Sequence, residues 1–163
     1  SNGSPASGDV ELEKGMFIRI DGQAKYLGYI CNLSRIVGFG EVSDSLAKAH
    51  ATEKWLVERC MEEMKPGMKC SDLRKIELDL YNDIGYSPVI PYTGHGVGRV
   101  VHEPPYIALN DHTVLQPNMI ETLEPTICHS EGGDIFVSIE DQFLITNDGI
   151  EWLTEPASMD LYV

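Results

Sequence analysis

The stretch Tyr92-Thr93-Gly94-His95-Gly96-Val97-Gly98-Arg99-Val100-Val101-His102-Glu103-Pro104-Pro105 decides how this chain is read. Glycine flanks His95 on both sides, so the backbone there is uncrowded and the imidazole can come close to another group. The run Arg99-Val100-Val101 has β-forming residues and predicts a short strand-like segment leading into His102. Acidic segments follow at Glu121-Thr122-Leu123-Glu124-Pro125 and Ile139-Glu140-Asp141, and Asp21 lies upstream inside an apolar run. Imidazole nitrogens and carboxylate oxygens are what hard or borderline divalent cations take as ligands. We therefore expect a metal site.

The whole chain bounds what surrounds that site. Its 163 residues, 42% of them apolar and 8% aromatic, suffice for one globular domain with a proper core. A formal charge of -14 disfavours nucleic acid and anionic membrane surfaces as partners, since either needs a basic face. Most of the 26 acids are expected to form a solvated surface. Cys31, Cys60, Cys70 and Cys128 include no CxxC pair and read as reduced thiols. No stretch approaches the ~20 apolar residues of a membrane span, so a cytoplasmic location is the expectation. The small, turn-forming residues at the start make residues 1–12 a linker or tag-like segment, with the folded part at 13–163.

Taken in order, Met16-Phe17-Ile18-Arg19-Ile20-Asp21 predicts a strand with Asp21 near its end. Gly22–Lys25 is expected to turn the chain, and Tyr26–Phe39 to return as a second strand, with Asp21 and Asn32 facing each other across the pair. Ser43 or Asp44 caps a helix to about Lys65, with Leu46, Ala49, His50, Leu56, Val57, Cys60, Met61 and Met64 turned inward. His50 in that stripe is expected to be half-buried and not a ligand. Pro66-Gly67 ends the helix. Ser71 is expected to cap a second helix through Ile84, with Leu73, Ile76, Leu80 and Ile84 on one face and Gly85 as its stop signal. After Pro88 short β-runs alternate with turns, ending in Gln142–Thr146, the turn Asn147-Asp148-Gly149 and Glu151–Thr154. Strands, two helices, then strands predict an α+β fold with helices packed on one face of an antiparallel sheet.

Several segments together carry a resemblance: Gly28-Tyr29-Ile30-Cys31-Asn32-Leu33-Ser34-Arg35 after Ile20-Asp21, Thr93–Gly98 with His102-Glu103-Pro104-Pro105, Thr122-Leu123-Glu124-Pro125, and Ile139–Thr146. In order and spacing, from about Glu13 to Thr154, they resemble the pita-bread metallopeptidases, a superfamily that includes methionine aminopeptidase, Xaa-Pro aminopeptidase, prolidase and creatinase. His-Glu-Pro-Pro and Ile-Glu-Asp are most like the Xaa-Pro branch. The resemblance implies a curved antiparallel sheet with helices on its outer face. It also implies a divalent-metal-dependent aminopeptidase-like hydrolase in which water, activated by one or two ions of manganese, cobalt, zinc or iron, attacks an N-terminal peptide bond. Residue by residue, it makes Asp21, Asn32, His95, Glu124 and Glu140 the metal positions. Glu124 also shuttles a proton, and His102 steadies the substrate carbonyl.

Three departures qualify that expectation. Asn32 stands where the family has a bridging aspartate, and one neutral carbonyl oxygen bridges two cations poorly, so a weakened or single-ion centre is expected. Ser138 stands where the Xaa-Pro branch usually has an arginine, and a hydroxyl cannot replace a charged fork. The chain resembles the later three fifths of the family's domain, N-terminally incomplete, so a homodimer or association with the missing part is expected to cover exposed surface. Two alternatives stay open. One is a non-catalytic homologue that binds a peptide or protein partner; the other is a non-peptidase amide hydrolase of the same fold, acting on a small amide.

Overall fold

The protein is described by a computed structural model over residues 8–129 and 135–161. Residues 1–7 of the expected linker segment lie outside the described residues. Strands β1 (Phe17–Tyr26) and β2 (Tyr29–Gly38) form an antiparallel hairpin. It closes at Leu27-Gly28, both at positive φ (49° and 91°), the turn geometry whose twist matches paired strands. The expected turn at Gly22–Lys25 is therefore wrong: those four residues stay extended, paired with Leu33 back to Ile30. The register changes with the turn. Asp21 stands opposite Ser34 and Asn32 opposite Gln23, so Asp21 and Asn32 are diagonal neighbours on one face and not a facing pair.

Helix α1 (Asp44–Glu63) begins where expected, with Ser43 Oγ accepting the Leu46 N–H at 3.2 Å. It buries Leu46, Ala49, Leu56, Val57 and Cys60, and with them His50 and Glu53. His50 is thus more deeply buried than expected. Helix α2 (Cys70–Ile84) starts before Ser71, which does not cap it. The first amides are satisfied by a loop instead, Cys70 N–H donating to Thr113 O (3.0 Å) and Ser71 N–H to Asp111 O (2.8 Å). Ser71 Oγ meets His112 Nδ1 at 3.1 Å. The buried face of α2 is also rotated from the expected stripe: Leu73, Arg74, Glu77 and Tyr81 are buried, while Ile76, Leu80 and Ile84 are only half-buried. Arg74 and Glu77 pair with each other, which is how two charges tolerate that position.

The remaining strands are β3 (Tyr92–Gly96), β4 (Glu103–Ala108), β5 (Ile120–Leu123), β6 (Thr126–His129), β7 (Ile135–Ser138), β8 (Asp141–Ile145) and β9 (Ile150–Trp152). Five of them form an antiparallel sheet in the order β4-β3-β5-β8-β9, and β6 pairs with β7 alone. Arg99–Val101, expected to be strand-like, is a bend between β3 and β4; Val100 N–H donates to Glu103 Oε2 across it. Helix α1 packs on β6 and β7, and α2 on β4 and β3, completing the expected α+β architecture. One apolar cluster joins Val57, Cys60 and Leu73 to Ile107, Leu123, Ile139, Phe143 and Ile145. A second joins Ile36, Leu46, Ala49 and Leu56 to Tyr81, Ile127 and Val137. Among the described residues no helix is long and apolar enough to cross a membrane.

Two close fits position the His95 strand. A Cβ added at Gly94 would stand 1.9 Å from Thr122 O on β5, and one at Gly96 would stand 2.8 Å from Glu103 O on β4. Neither neighbour is a flexible side-chain end. Gly94→Ala is accordingly expected to lower the free energy of unfolding by about 3 kcal/mol in urea denaturation, because the backbone of β3 or β5 must move.

Glu121 lies on β5 with both carboxylate oxygens buried and, among the described residues, without a hydrogen-bond partner. Burial, with Asp111 and Glu103 nearby, pushes its carboxyl from an ordinary 4.5 up to about 8. A raised acid keeps a proton in the folded state that the unfolded chain has released. Its contribution is therefore neutral below about pH 4.5 and becomes increasingly destabilising as the pH rises toward 8. Glu121→Gln cannot ionise, so the variant should be more stable than the parent at pH 9 by about 2–4 kcal/mol and near-equal to it at pH 4.5, measured by thermal unfolding across that range.

Candidate metal centre

The centre begins with how β3 holds one imidazole. His95 is buried, its backbone N–H donates to Thr122 Oγ1 (3.2 Å), and its Nδ1 lies 3.0 Å from Gly96 O. A carbonyl beside Nδ1 requires the proton there, which leaves the lone pair on Nε2. That nitrogen is 3.4 Å from Glu124 Oε1 and 3.6 Å from Glu140 Oε1. The bend after β3 returns His102 so that its ring centroid is 4.2 Å from that of His95. His95, His102 and Glu124 each present a ligand atom within 4.8 Å of the others. Tyr92 and Tyr106 flank His95 at ring-centroid distances of 6.3 and 6.4 Å.

Glu124 is placed by backbone, its N–H donating to Thr93 O at 2.6 Å, and Pro125 follows it before β6. Glu140 occupies the junction of β7 and β8. Burial, then the charges of Glu124 and Asp21, raise its carboxyl to about 9, against the lowering effects of Arg19 and the Asn32 hydrogen bond. His102 is shifted the other way: desolvation and the neighbouring His95 lower it, which favours the neutral imidazole that can act as ligand or acceptor.

Five of the expected site positions meet here, and one stands apart. Asn32 is buried and touches Glu140, its Nδ2 donating to Glu140 Oε1 at 2.6 Å. Its backbone N–H donates to Gln142 Oε1 at 3.1 Å. Asp21 faces the same region from β1, but its carboxylate is about half exposed and pairs with Arg19 Nη2 at 3.2 Å. Ser138 is buried at the end of β7, where its Oγ accepts from Thr126 Oγ1 (3.2 Å) and donates to Pro125 O (3.4 Å).

Sequence reasoning missed Arg19, Gln142 and Glu53. Arg19 had a signal: two residues before Asp21 in a strand, it shares Asp21's face. Gln142 had none, since its contact with Asn32 spans 110 positions. Glu53 lay inside an apolar helical stripe and was passed over; buried on α1, its Oε1 accepts from Ile139 N–H next to Glu140, at 3.5 Å.

Do these residues fit a cation? His95 Nε2 and Glu124 Oε1 are buried and 3.4 Å apart, and among the described residues neither has a hydrogen-bond partner; Asn32 Oδ1 is likewise unpartnered. Two electron-rich atoms buried so close together are costly unless a proton or a positive ion lies beside them. The His95–Glu124 end therefore fits a divalent ion. The Asn32 end fits one less well, because an amide N–H already points at Glu140.

Known proteins resemble this chain in sequence and fold. The profile of metallopeptidase family M24 matches residues 2–147. The Xaa-Pro dipeptidase of Pyrococcus furiosus is 33% identical over 148 residues, which are 90% of this chain and 42% of that protein. The X-Pro aminopeptidase of Thermotoga maritima MSB8 superposes with a TM-score of 0.87 at 31% identity, over 96% of this chain and 44% of that one. The methionine aminopeptidase of Rickettsia prowazekii gives 0.80 at 25% identity, over 91% and 68%. The chain spans about two fifths of the length of the curated relatives it matches. The fold is the pita-bread arrangement that the sequence motifs imply. This chain belongs to metallopeptidase family M24.

Proposed function

We propose that residues 13–163 form the metal-bearing part of a pita-bread catalytic domain that hydrolyses an N-terminal peptide bond, of the Xaa-Pro aminopeptidase or dipeptidase type. The observation that carries this is the buried pair of atoms His95 Nε2 and Glu124 Oε1, 3.4 Å apart and without a hydrogen-bond partner among the described residues. Relatives named Xaa-Pro dipeptidase and X-Pro aminopeptidase support the substrate class. A cytoplasmic setting and a homodimer, or association with a further part of the protein, belong to the same reading.

His95, Glu124 and Glu140 would hold a divalent ion, manganese, cobalt, zinc or iron, with Asp21 and Asn32 at its far side. When bound, such an ion lowers the pKa of water and polarises a carbonyl. The chain's own groups supply the rest. Glu124, half-buried beside His95, is placed to take a proton from water and return it to the leaving amine. His102, exposed at the mouth of the cluster and next to His95, is placed to hydrogen-bond the substrate carbonyl oxygen. Tyr92 and Tyr106 shield one side of His95 from water.

A non-catalytic role in binding a peptide has one observation in its favour, the Asn32 amide donating to Glu140. Hydrolysis of Xaa-Pro dipeptides by the full-length protein separates the two. Manganese or cobalt is expected to stimulate it, with EDTA and Glu124→Gln each reducing kcat by about 100-fold or more. Activity indifferent to both would rule the metallopeptidase reading out.

A further inference from the structure

The Asn32 end of the centre is furnished with the chain's own positive and donor groups. Arg19 Nη2 donates to Asp21 Oδ2 at 3.2 Å, and its Nε donates to Ser34 Oγ at 3.3 Å. Ser34 in turn exchanges both backbone hydrogen bonds with Glu140, 3.1 Å each, so the guanidinium is tied to the strand segment that carries that carboxylate. A guanidinium keeps its charge at any pH the protein meets. On the same face of the hairpin, Asn32 Nδ2 donates to Glu140 Oε1 at 2.6 Å. The amide lies with Nδ2 toward Glu140, and among the described residues its Oδ1 has no hydrogen-bond partner.

We propose that Arg19 and Asn32 take the place of a second cation, so that the centre holds one divalent ion, at the His95–Glu124 end. The charges agree with this. With all three carboxyls ionised around a bound cation, Asp21, Glu124 and Glu140 would present three negative charges, and one divalent ion with the Arg19 guanidinium three positive ones. A second divalent ion would leave the space strongly positive and would have to displace both the Asn32 N–H and the Arg19 pair. With Asp in place of Asn32 and an apolar residue in place of Arg19, four carboxylates would match two divalent ions. The Arg19–Asp21 pair alone is partly exposed and weak, so neither group is expected to block the position fully without the other. The proposal rests on the cluster being a metal centre, and its test reads ion number and not turnover.

Manganese titration of the full-length protein, followed by calorimetry and electron paramagnetic resonance, counts ions and reports whether they are coupled. The parent is expected to bind one equivalent with the six-line spectrum of an isolated ion. Arg19→Leu/Asn32→Asp is expected to bind two with an exchange-coupled spectrum. Asn32→Asp alone should take the second ion at least tenfold more weakly than the double variant. Two coupled ions in the parent would overturn the proposal whatever the variants do. So would a folded double variant that binds only one ion, or an Asn32→Asp variant whose second ion binds as tightly as in the double variant. A parent that binds no ion would sink the metallopeptidase reading and the proposal with it, whereas two coupled ions in the parent would sink the proposal alone. If the double variant does not fold, the parent's own count still decides.

Discussion

Everything at the site depends on the pair of backbone hydrogen bonds between Ser34 and Glu140. They join the β1–β2 hairpin to the junction of β7 and β8. They set the hairpin face that carries Asp21 and Asn32 against the residues around Glu140, close to His95 on β3 and Glu124 after β5. Arg35 braces the crossing from behind: Nη1 donates to Ser34 O (2.8 Å) and Glu140 O (2.7 Å), and Nη2 pairs with Asp141. A fork with five donors on a rigid plane suits this, since it can satisfy carbonyls from two chain segments and a carboxylate at once. A second tie, Ile30 N–H to Gly98 O at 2.8 Å, links the hairpin to the bend that returns His102.

That crossing makes an electrostatically unfavourable arrangement persist. Glu140 and His95 are buried, Glu124 is half-buried, and His95 Nε2 lies 3.4 Å from Glu124 Oε1. In a low-dielectric setting such groups cost stability unless protons or a cation neutralise them, and burial accordingly raises the Glu140 carboxyl to about 9. The surrounding fold tolerates the cost because Gly94 and Gly96 allow β3 to lie flush against β5 and β4, and because two apolar clusters pack under the sheet. The same cost is what gives a divalent ion its affinity, since binding would relieve it.

Much of this was legible in the sequence, for reasons that differ element by element. The α+β order followed from periodicity, and helix α1 from its Ser43 cap and Pro66-Gly67 stop. The grouping of His95, His102, Glu124 and Glu140 followed from motif and spacing. What failed were features decided by non-local contacts. The hairpin turn fell at Leu27-Gly28 because pairing of Gly22–Lys25 with β2 outweighed their local turn preference. Ser71 lost its capping role because loop carbonyls from Asp111 and Thr113 reached the helix first. The buried charges Glu53, Arg74 and Glu77 broke an apolar stripe that helical spacing alone predicts. Arg19 was legible as a charge on the same strand face as Asp21, its partner at 3.2 Å, but its contact with Ser34 depends on the hairpin register.

The central claim is that the His95–Glu124 end of the cluster is a cation site. Anomalous diffraction at the manganese edge, from crystals of the protein grown with manganese, tests it most directly. The account predicts a peak about 2.0–2.3 Å from both His95 Nε2 and a Glu124 oxygen. It would be contradicted by crystals without a peak there in which His95 Nε2 is instead hydrogen-bonded to a protonated Glu124.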